Sequence, residues 1–319
     1  MTGESRYRSS LDEIMRILRD LRQAEDYSGE TDNGGGDPAD HGTFLACQIQ
    51  ALPARLQRKA AEVAARENPA NAPLTELAVD GITDPARLTL LTSKYWGPLP
   101  KKLTVSFMES TPADLRSRII GHLNAWNQSA GMSFVETSGV GQVRISRGPG
   151  GYYSYLGTDI KLIPQNRQTM NLQDFTMSTP EREFRRVIRH EAGHTLGFPH
   201  EHMRKALVAR IDPQKAYDYF WRTQGWSKEM VDQQVLTPLG DFSIIGTEPD
   251  QDSIMCYQLP GEITYDGKPI PGGLDINATD YKFAGTIYPK VLFSTGWDGS
   301  TGGASTNDWD PAEDVAVAV

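Results

Sequence analysis

One stretch of eleven residues, from His190 to His200, constrains this chain more than any other part of its sequence. His190 and His194 are four residues apart, so a helix would place both imidazoles on one face, one turn apart. Glu191 directly follows His190 and would lie next to it on the same side of the helix. Gly197 can adopt the left-handed conformation that ends a helix and would turn His200 back toward the other two histidines. The pattern therefore predicts a helix, a sharp turn and three converging imidazoles.

This arrangement of donors is typical of a catalytic zinc site. Three neutral imidazoles from His190, His194 and His200 suit tetrahedral Zn²⁺, and three protein ligands leave the fourth position open for water or substrate. Glu191 can sit beside the metal without binding it and act as the general base toward a zinc-bound water. The sequence thus predicts Zn²⁺ as cofactor and hydrolysis as reaction.

The residues around the motif predict a sheet backed by helices. Alternating or β-branched stretches predict strands at 101–107, 133–136, 142–145, 152–156 and 170–175, and a helix is expected over 111–127. The motif helix should begin at Pro180, with Thr179 as its N-cap. Further helices are expected at 213–222 and 227–234. The fold class predicted is α+β, with a twisted mixed sheet.

Composition divides the chain into three parts. Residues 1–94 are interpreted as an N-terminal extension of helical and loop segments, and residues 95–292 as the catalytic domain. The tail, 293–319, is rich in Gly, Ser and Asp and is expected to be flexible.

Charge and hydropathy argue against two classes of partner. A formal net charge of −9 without a basic stripe disfavours nucleic acid. No run of about 18 apolar residues could span a membrane. The first 22 residues lack the apolar core of a signal peptide, so the cytoplasm is the default location, while export by another route stays open. The oligomeric state is left open.

Two separated motifs resemble the astacin-type metzincins. Residues 197–201 read G-F-P-H-E, which resembles the G-F-x-H-E ending of that family's zinc motif, and residues 253–257 read S-I-M-C-Y, which resembles its S-I-M-x-Y Met-turn. Residues 153–159 and 170–172 are similar to bacterial members. The likeness covers roughly residues 95–289 and implies a metzincin-like catalytic domain, with an active-site helix and a Met-turn lower subdomain.

The resemblance also implies roles for individual residues. Met255 would be the hydrophobic floor beneath the zinc, and Tyr257 a displaceable fifth ligand that stabilises the oxyanion. Glu201 would either pair with a new N-terminus, as in mature astacins, or support the third ligand without binding metal. Astacins usually contain two disulfides, whereas this chain has only Cys47 and Cys256, whose pairing stays open.

Two further sets of residues concern access to the site. Residues 27–30 are faintly similar to the plug of astacin propeptides, so Glu30 is one candidate zinc plug and the Cys47 thiolate is another. The alternative is that the N-terminal segment only wraps the catalytic domain. The predicted strand at Tyr152, Tyr153, Ser154 and Tyr155 is interpreted as an edge strand that binds substrate by strand addition.

The function predicted is that of a zinc-dependent metalloendopeptidase acting on polypeptides. The alternative is a zinc-binding protein whose activity is masked or lost and which acts as a binding module. The intact Glu191 favours the enzyme.

Overall fold

The structure is a computed structural model that describes residues 47–72, 93–238 and 249–290. Its strands are β1 (Cys47–Gln50), β2 (Lys101–Phe107), β3 (Met132–Glu136), β4 (Val143–Ser146), β5 (Tyr152–Tyr155) and β6 (Met170–Leu172). Its helices are α1 (Ala54–Glu67), α2 (Ala113–Leu123), α3 (Glu181–Glu183), α4 (Arg189–Thr195), α5 (Lys205–Val208), α6 (Pro213–Gln224), α7 (Lys228–Val231) and α8 (Ala278–Ile287). π-Helical turns follow α3 at Phe184–Ile188 and α7 at Asp232–Leu236. Glu30 and the tail lie outside the described residues.

The strands form one six-stranded sheet in the order β1-β5-β6-β4-β2-β3. Neighbouring strands are parallel except for β5 and β6, which are antiparallel. The predicted mixed sheet and the α+β class are therefore confirmed. Strand β1 had no counterpart in the sequence prediction. It pairs with β5 in parallel, with Cys47 opposite Tyr152 and Gln50 opposite Tyr155. The prediction that β5 is an edge strand was therefore wrong for this form of the chain, because β1 occupies that edge.

The larger apolar cluster lies between the sheet and the helices. In β2, Leu103 and Val105 are fully buried, as the alternating pattern predicts. Helix α2 buries Ile119 and Leu123 one turn apart and packs into the same cluster as Phe184 of the motif helix. The sheet thus provides a rigid support for the helix that bears the histidines.

A second cluster supports the opposite side of the site. Helix α6 begins at Pro213 after an Asp212 side-chain cap and ends at Gly225 in the left-handed conformation, with a φ of 66°. Its buried Phe220 stacks on Trp226. The cluster also contains Cys47 and Tyr257, so it borders the histidine site on the side opposite the larger cluster.

Several of the predicted boundaries were wrong. Strand β6 stops at Leu172 because Asp174 adopts a φ of 58°, which breaks an extended strand. Thr179 does not cap the motif helix; Pro180 holds that position, and the Thr179 hydroxyl instead accepts a hydrogen bond from the amide of Thr176. The helix expected to continue to residue 127 changes to a 3₁₀ turn after Leu123. Within the described residues, every helix is too short or too polar to cross a bilayer.

Candidate metal centre

The motif helix brings His190 and His194 together on its buried face. Residues 181–195 form one continuous helical path, with the π-helical turn between α3 and α4. The two imidazole rings lie 4.6 Å apart between centroids, and the side chain of His194 is fully buried. The spacing of four residues thus places both rings on one side, as expected.

The turn after α4 returns the third histidine to this side. Gly197 has a φ of 96°, a conformation that strains any residue with a Cβ. The His200 ring then lies 4.6 Å from that of His194 and 5.2 Å from that of His190. A substitution at Gly197 would also bring a Cβ to 3.0 Å from the carbonyl oxygen of Lys94, so the turn leaves little room for a larger residue.

Backbone carbonyls orient two of the imidazoles. The Nδ1 atom of His190 lies 2.6 Å from the carbonyl oxygen of Ile254, and that of His194 lies 2.8 Å from the carbonyl oxygen of Phe198. A carbonyl can only accept, so Nδ1 carries the proton in both rings and Nε2 keeps its lone pair. This contact beyond the metal is the usual way in which zinc-binding histidines are oriented.

The donor atoms fit a zinc ion. One ligand atom each from Cys47, His190, His194 and His200 lies within 4.8 Å of the others. The Nε2 atoms of His194 and His200 are 3.0 Å apart, and Nε2 of His190 is buried without a hydrogen-bond partner in the described part of the chain. Burial lowers the pKa of His190 to about 4 and the pKa values of His194 and His200 well below their usual range. The rings are therefore neutral and can bind Zn²⁺.

Glu191 lies beside this cluster with a fully buried carboxyl group. Burial raises its pKa to about 8. The neighbouring Cys47 side chain acts on this pKa in the opposite direction, and among residues 47–72, 93–238 and 249–290 neither carboxyl oxygen has any other hydrogen-bond partner. A group in that position is free to exchange a proton with a molecule bound at the site.

The Met-turn lies directly beneath α4. A Cβ added at Gly193 would fall 2.3 Å from the sulfur of Met255, so the glycine is what allows the methionine to pack under the helix. Asp280, near the start of α8, fixes this turn by accepting hydrogen bonds from the Ser253 hydroxyl and from the amide of Ile254 at 3.0 Å. The apolar floor is thereby joined to the C-terminal helix.

Tyr257 stands at the side of the cluster. Its ring centroid lies 4.3 Å from that of His200, and its hydroxyl is buried without a hydrogen-bond partner in the part of the chain that the structure describes. His202 stacks on Tyr257 at 4.4 Å with an interplanar angle of 15°. The Nδ1 atom of His202 accepts from the amide of Tyr257 at 3.4 Å and its Nε2 atom donates to the carbonyl oxygen of Gln234 at 2.9 Å, so neither nitrogen is available to the cluster, although the ring lies 5.1 Å from that of His200.

Glu201 links the third histidine to the Met-turn. Its amide donates to the carbonyl oxygen of Met255 at 2.8 Å. Its carboxylate accepts from the guanidinium of Arg204 at 3.0 Å and from the amide of Asp250 at 3.1 Å. The side chain therefore points away from the imidazoles.

Both cysteines are free, buried thiols. Cys256 lies in the Met-turn, whereas Cys47 is carried to the histidines by β1. The sequence held no sign of this strand, because its pairing with β5 depends on a contact between distant parts of the chain. The contact of Asp280 with the Met-turn was missed as well, although the N-cap pattern of Asn277 and Asp280 marks the start of α8.

Comparison with known proteins places the chain in a family. No protein-family model matches it, and no curated protein does. Among solved structures it is similar to myroilysin, with 32% identity over 62% of this chain and 97% of that one and a TM-score of 0.58. A second myroilysin structure matches with 33% identity, coverage of 62% and 87%, and a TM-score of 0.49. High choriolytic enzyme 1, a hatching enzyme zinc-protease from Oryzias latipes, matches with 19% identity, coverage of 59% and 88%, and a TM-score of 0.41.

The first of these likenesses carries the conclusion, because it combines substantial identity with nearly the whole length of the related chain. The buried histidine cluster agrees with it. The chain belongs to the astacin-like metzincins, a family of zinc metallopeptidases.

Proposed function

We propose that the chain is a zinc endopeptidase in which His190, His194 and His200 hold the metal and Glu191 carries the proton. The observation that supports this most strongly is the convergence of three buried, neutral imidazoles beside a buried carboxyl group. Zinc, when bound, supplies a Lewis acid that makes water acidic enough to lose a proton near neutral pH.

Glu191 moves the proton in both halves of the reaction. One of its carboxylate oxygens takes the proton from the attacking water, and the same oxygen later delivers it to the nitrogen of the leaving amine. Because the carboxyl group is fully buried beside His190, it can reach the reacting atoms without competition from bulk water.

Tyr257 stabilises the negative charge that develops on the carbonyl oxygen. Its buried hydroxyl is available to donate a hydrogen bond, and its ring packs against the rings of both His200 and His202. Met255 forms the apolar floor, and Glu201 keeps the loop after α4 attached to it.

Removal of the metal should abolish cleavage. Treatment with a chelator should reduce cutting of an unfolded, casein-like protein to background, and stoichiometric zinc should restore it. Metal content by mass spectrometry and cleavage by gel would be followed in the same samples. Cleavage that persists in protein shown to be metal-free would contradict the proposed function.

We infer that the chain with β1 in place is a latent form. Strand β1 covers β5, along which a substrate would bind by strand addition, and places the Cys47 sulfur among the imidazole nitrogens. A thiolate at this point would occupy the position that water and substrate need. This explanation is favoured over simple wrapping, since wrapping alone does not require a metal-binding side chain at the cluster.

Replacement of Cys47 by alanine should therefore activate the enzyme. The fraction of molecules in which β1 has left the cleft should rise about tenfold for each ~1.4 kcal/mol by which the sulfur stabilises β1 in place. The control is Gln48→Ala, which changes the next residue of the same strand without removing a ligand.

A spectroscopic measurement separates this effect from general loosening of the strand. Cobalt-substituted wild-type protein should show a sulfur-to-cobalt charge-transfer absorption that is absent in Cys47→Ala and retained in Gln48→Ala. Identical spectra in all three proteins would mean that Cys47 is not a ligand.

A further inference from the structure

Gln234 makes an unusual pair of contacts at the side of the cleft. It lies in the π-helical turn Asp232–Leu236, and only 7% of its surface is exposed. Its Oε1 atom accepts a hydrogen bond from the amide of Ile49 at 3.1 Å, and its Nε2 atom donates to the carbonyl oxygen of Ile49 at 3.1 Å. One side chain thus satisfies both main-chain groups of one residue in β1.

These contacts define a channel one strand wide. In an extended strand, the N–H and C=O of one residue point to the same side, and successive residues alternate between sides. Because both groups of Ile49 face Gln234, they face away from β5. Strand β1 is therefore held between the backbone of β5 and the carboxamide of Gln234.

The position of Gln234 is fixed relative to the reacting centre. Its backbone carbonyl accepts a hydrogen bond from Nε2 of His202 at 2.9 Å, and the ring of His202 stacks on Tyr257. Ile49 follows Cys47 by two residues, a separation of about 7 Å along a strand. The carboxamide thus contacts an extended chain two residues away from the one at the histidine cluster.

The contacts involve no side chain of β1. Any residue except proline offers the same N–H and C=O pair, so any extended peptide in the channel could take the place of Ile49. The carboxamide can also rotate by half a turn about its last torsion, which exchanges donor and acceptor. It can therefore bind a strand that runs in either direction along β5.

We propose that Gln234 is a substrate-positioning residue. After β1 leaves, its carboxamide binds the N–H and C=O of the substrate residue two positions from the bond that is cut. This inference rests on the proposed function and extends it, because the enzyme would then form main-chain hydrogen bonds along both edges of the bound peptide. Proline at that substrate position is disfavoured, since proline has no N–H to donate.

The test uses the full-length, zinc-loaded chain and a flexible peptide in which single peptide bonds are replaced, one position at a time, by esters. Each ester removes one N–H while keeping the chain length. The wild-type enzyme should lose about fivefold in kcat/KM for the ester at the position facing Gln234, the usual effect of one hydrogen bond. Gln234→Leu should show no loss for that ester, while esters at positions facing β5 should remain poor substrates for both enzymes.

The ratio of amide to ester cleavage is compared within each enzyme. That ratio does not depend on the fraction of molecules from which β1 has left, which Gln234→Leu will also change. Gln233→Leu is the matched control, because Gln233 is the exposed neighbour in the same turn and should keep the wild-type ratios. Gln234→Glu keeps an oxygen acceptor for the N–H and should therefore also keep the ester effect. Because glutamate has nearly the same shape as glutamine, this variant serves as a second control in case the leucine variant folds poorly.

Two results would overturn the inference in distinguishable ways. Unchanged ester ratios in Gln234→Leu would show that Gln234 only fastens β1 and does not position substrate, while the proposed function would stand. Failure of both the zinc-loaded wild-type chain and the zinc-loaded Cys47→Ala variant to cut any unfolded peptide would overturn the proposed function itself, and the inference with it.

Discussion

Replacing Glu191 with glutamine should leave the zinc content unchanged and lower kcat for peptide cleavage by about 10²- to 10⁴-fold, the range associated with loss of a general base. The substitution keeps the shape of a side chain that is fully buried, so packing around α4 should be preserved. It removes only the ability to take and return a proton. Because substrate still contacts the cleft, KM should change much less than kcat.

The matched control is Glu201→Gln, since each of these glutamates directly follows a histidine of the cluster. The carboxylate of Glu201 points toward Arg204 and the amide of Asp250, so its replacement should affect stability more than kcat. Zinc content, melting temperature and kcat would be measured for both variants. Equal loss of kcat in the two proteins would argue against Glu191 as the proton carrier.

The local part of this site could be predicted from sequence because it depends on helix geometry. A spacing of four residues places His190 and His194 on one face whatever the rest of the fold does. The need for a left-handed turn at Gly197 is equally local, and its φ of 96° confirms it. The roles assigned to these residues remain predictions, since only chemical experiments test them.

The non-local part could not be predicted. The approach of Cys47 to the histidines depends on β1 pairing with β5. Because β1 is only four residues long, its sequence pattern cannot predict that pairing. Likewise, the two hydrogen bonds between Gln234 and Ile49 join residues far apart in the chain. Buried polar side chains of this kind look like ordinary surface residues in a sequence, because their partners are set by tertiary packing.

Some local predictions failed because a competing local hydrogen bond or tertiary packing decided the outcome. The sequence around Thr179 is typical of an N-cap, yet its hydroxyl accepts from the amide of Thr176 and leaves the cap position to Pro180. The π-helical turn at Phe184–Ile188 also has no simple sequence signal. It buries Phe184, Val187 and Ile188 against the core just before the first histidine, so packing decides the local helix geometry there.

The choice of His200 over His202 as third ligand gives the second large effect. Replacing His200 with alanine should lower zinc affinity by about two to three orders of magnitude, since the ~10–16 kcal/mol typical of a structural zinc site is shared among four ligands. His202→Ala should lower it by only about tenfold, the lower end of the range for a residue beyond the ligands, because both nitrogens of His202 are already hydrogen-bonded elsewhere.

The two variants form a matched pair, because both remove a fully buried imidazole from the same short segment. They should lose comparable amounts of packing, so a general loss of stability would affect both alike. Zinc affinity would be measured by competition with a chromophoric chelator, and thermal stability would be measured with and without zinc. In His200→Ala the added zinc should raise the melting temperature far less than in wild type, whereas His202→Ala should keep most of that increase. Comparable affinity losses, or a larger loss in His202→Ala, would mean that the third ligand is not His200 and that the turn at Gly197 serves another purpose.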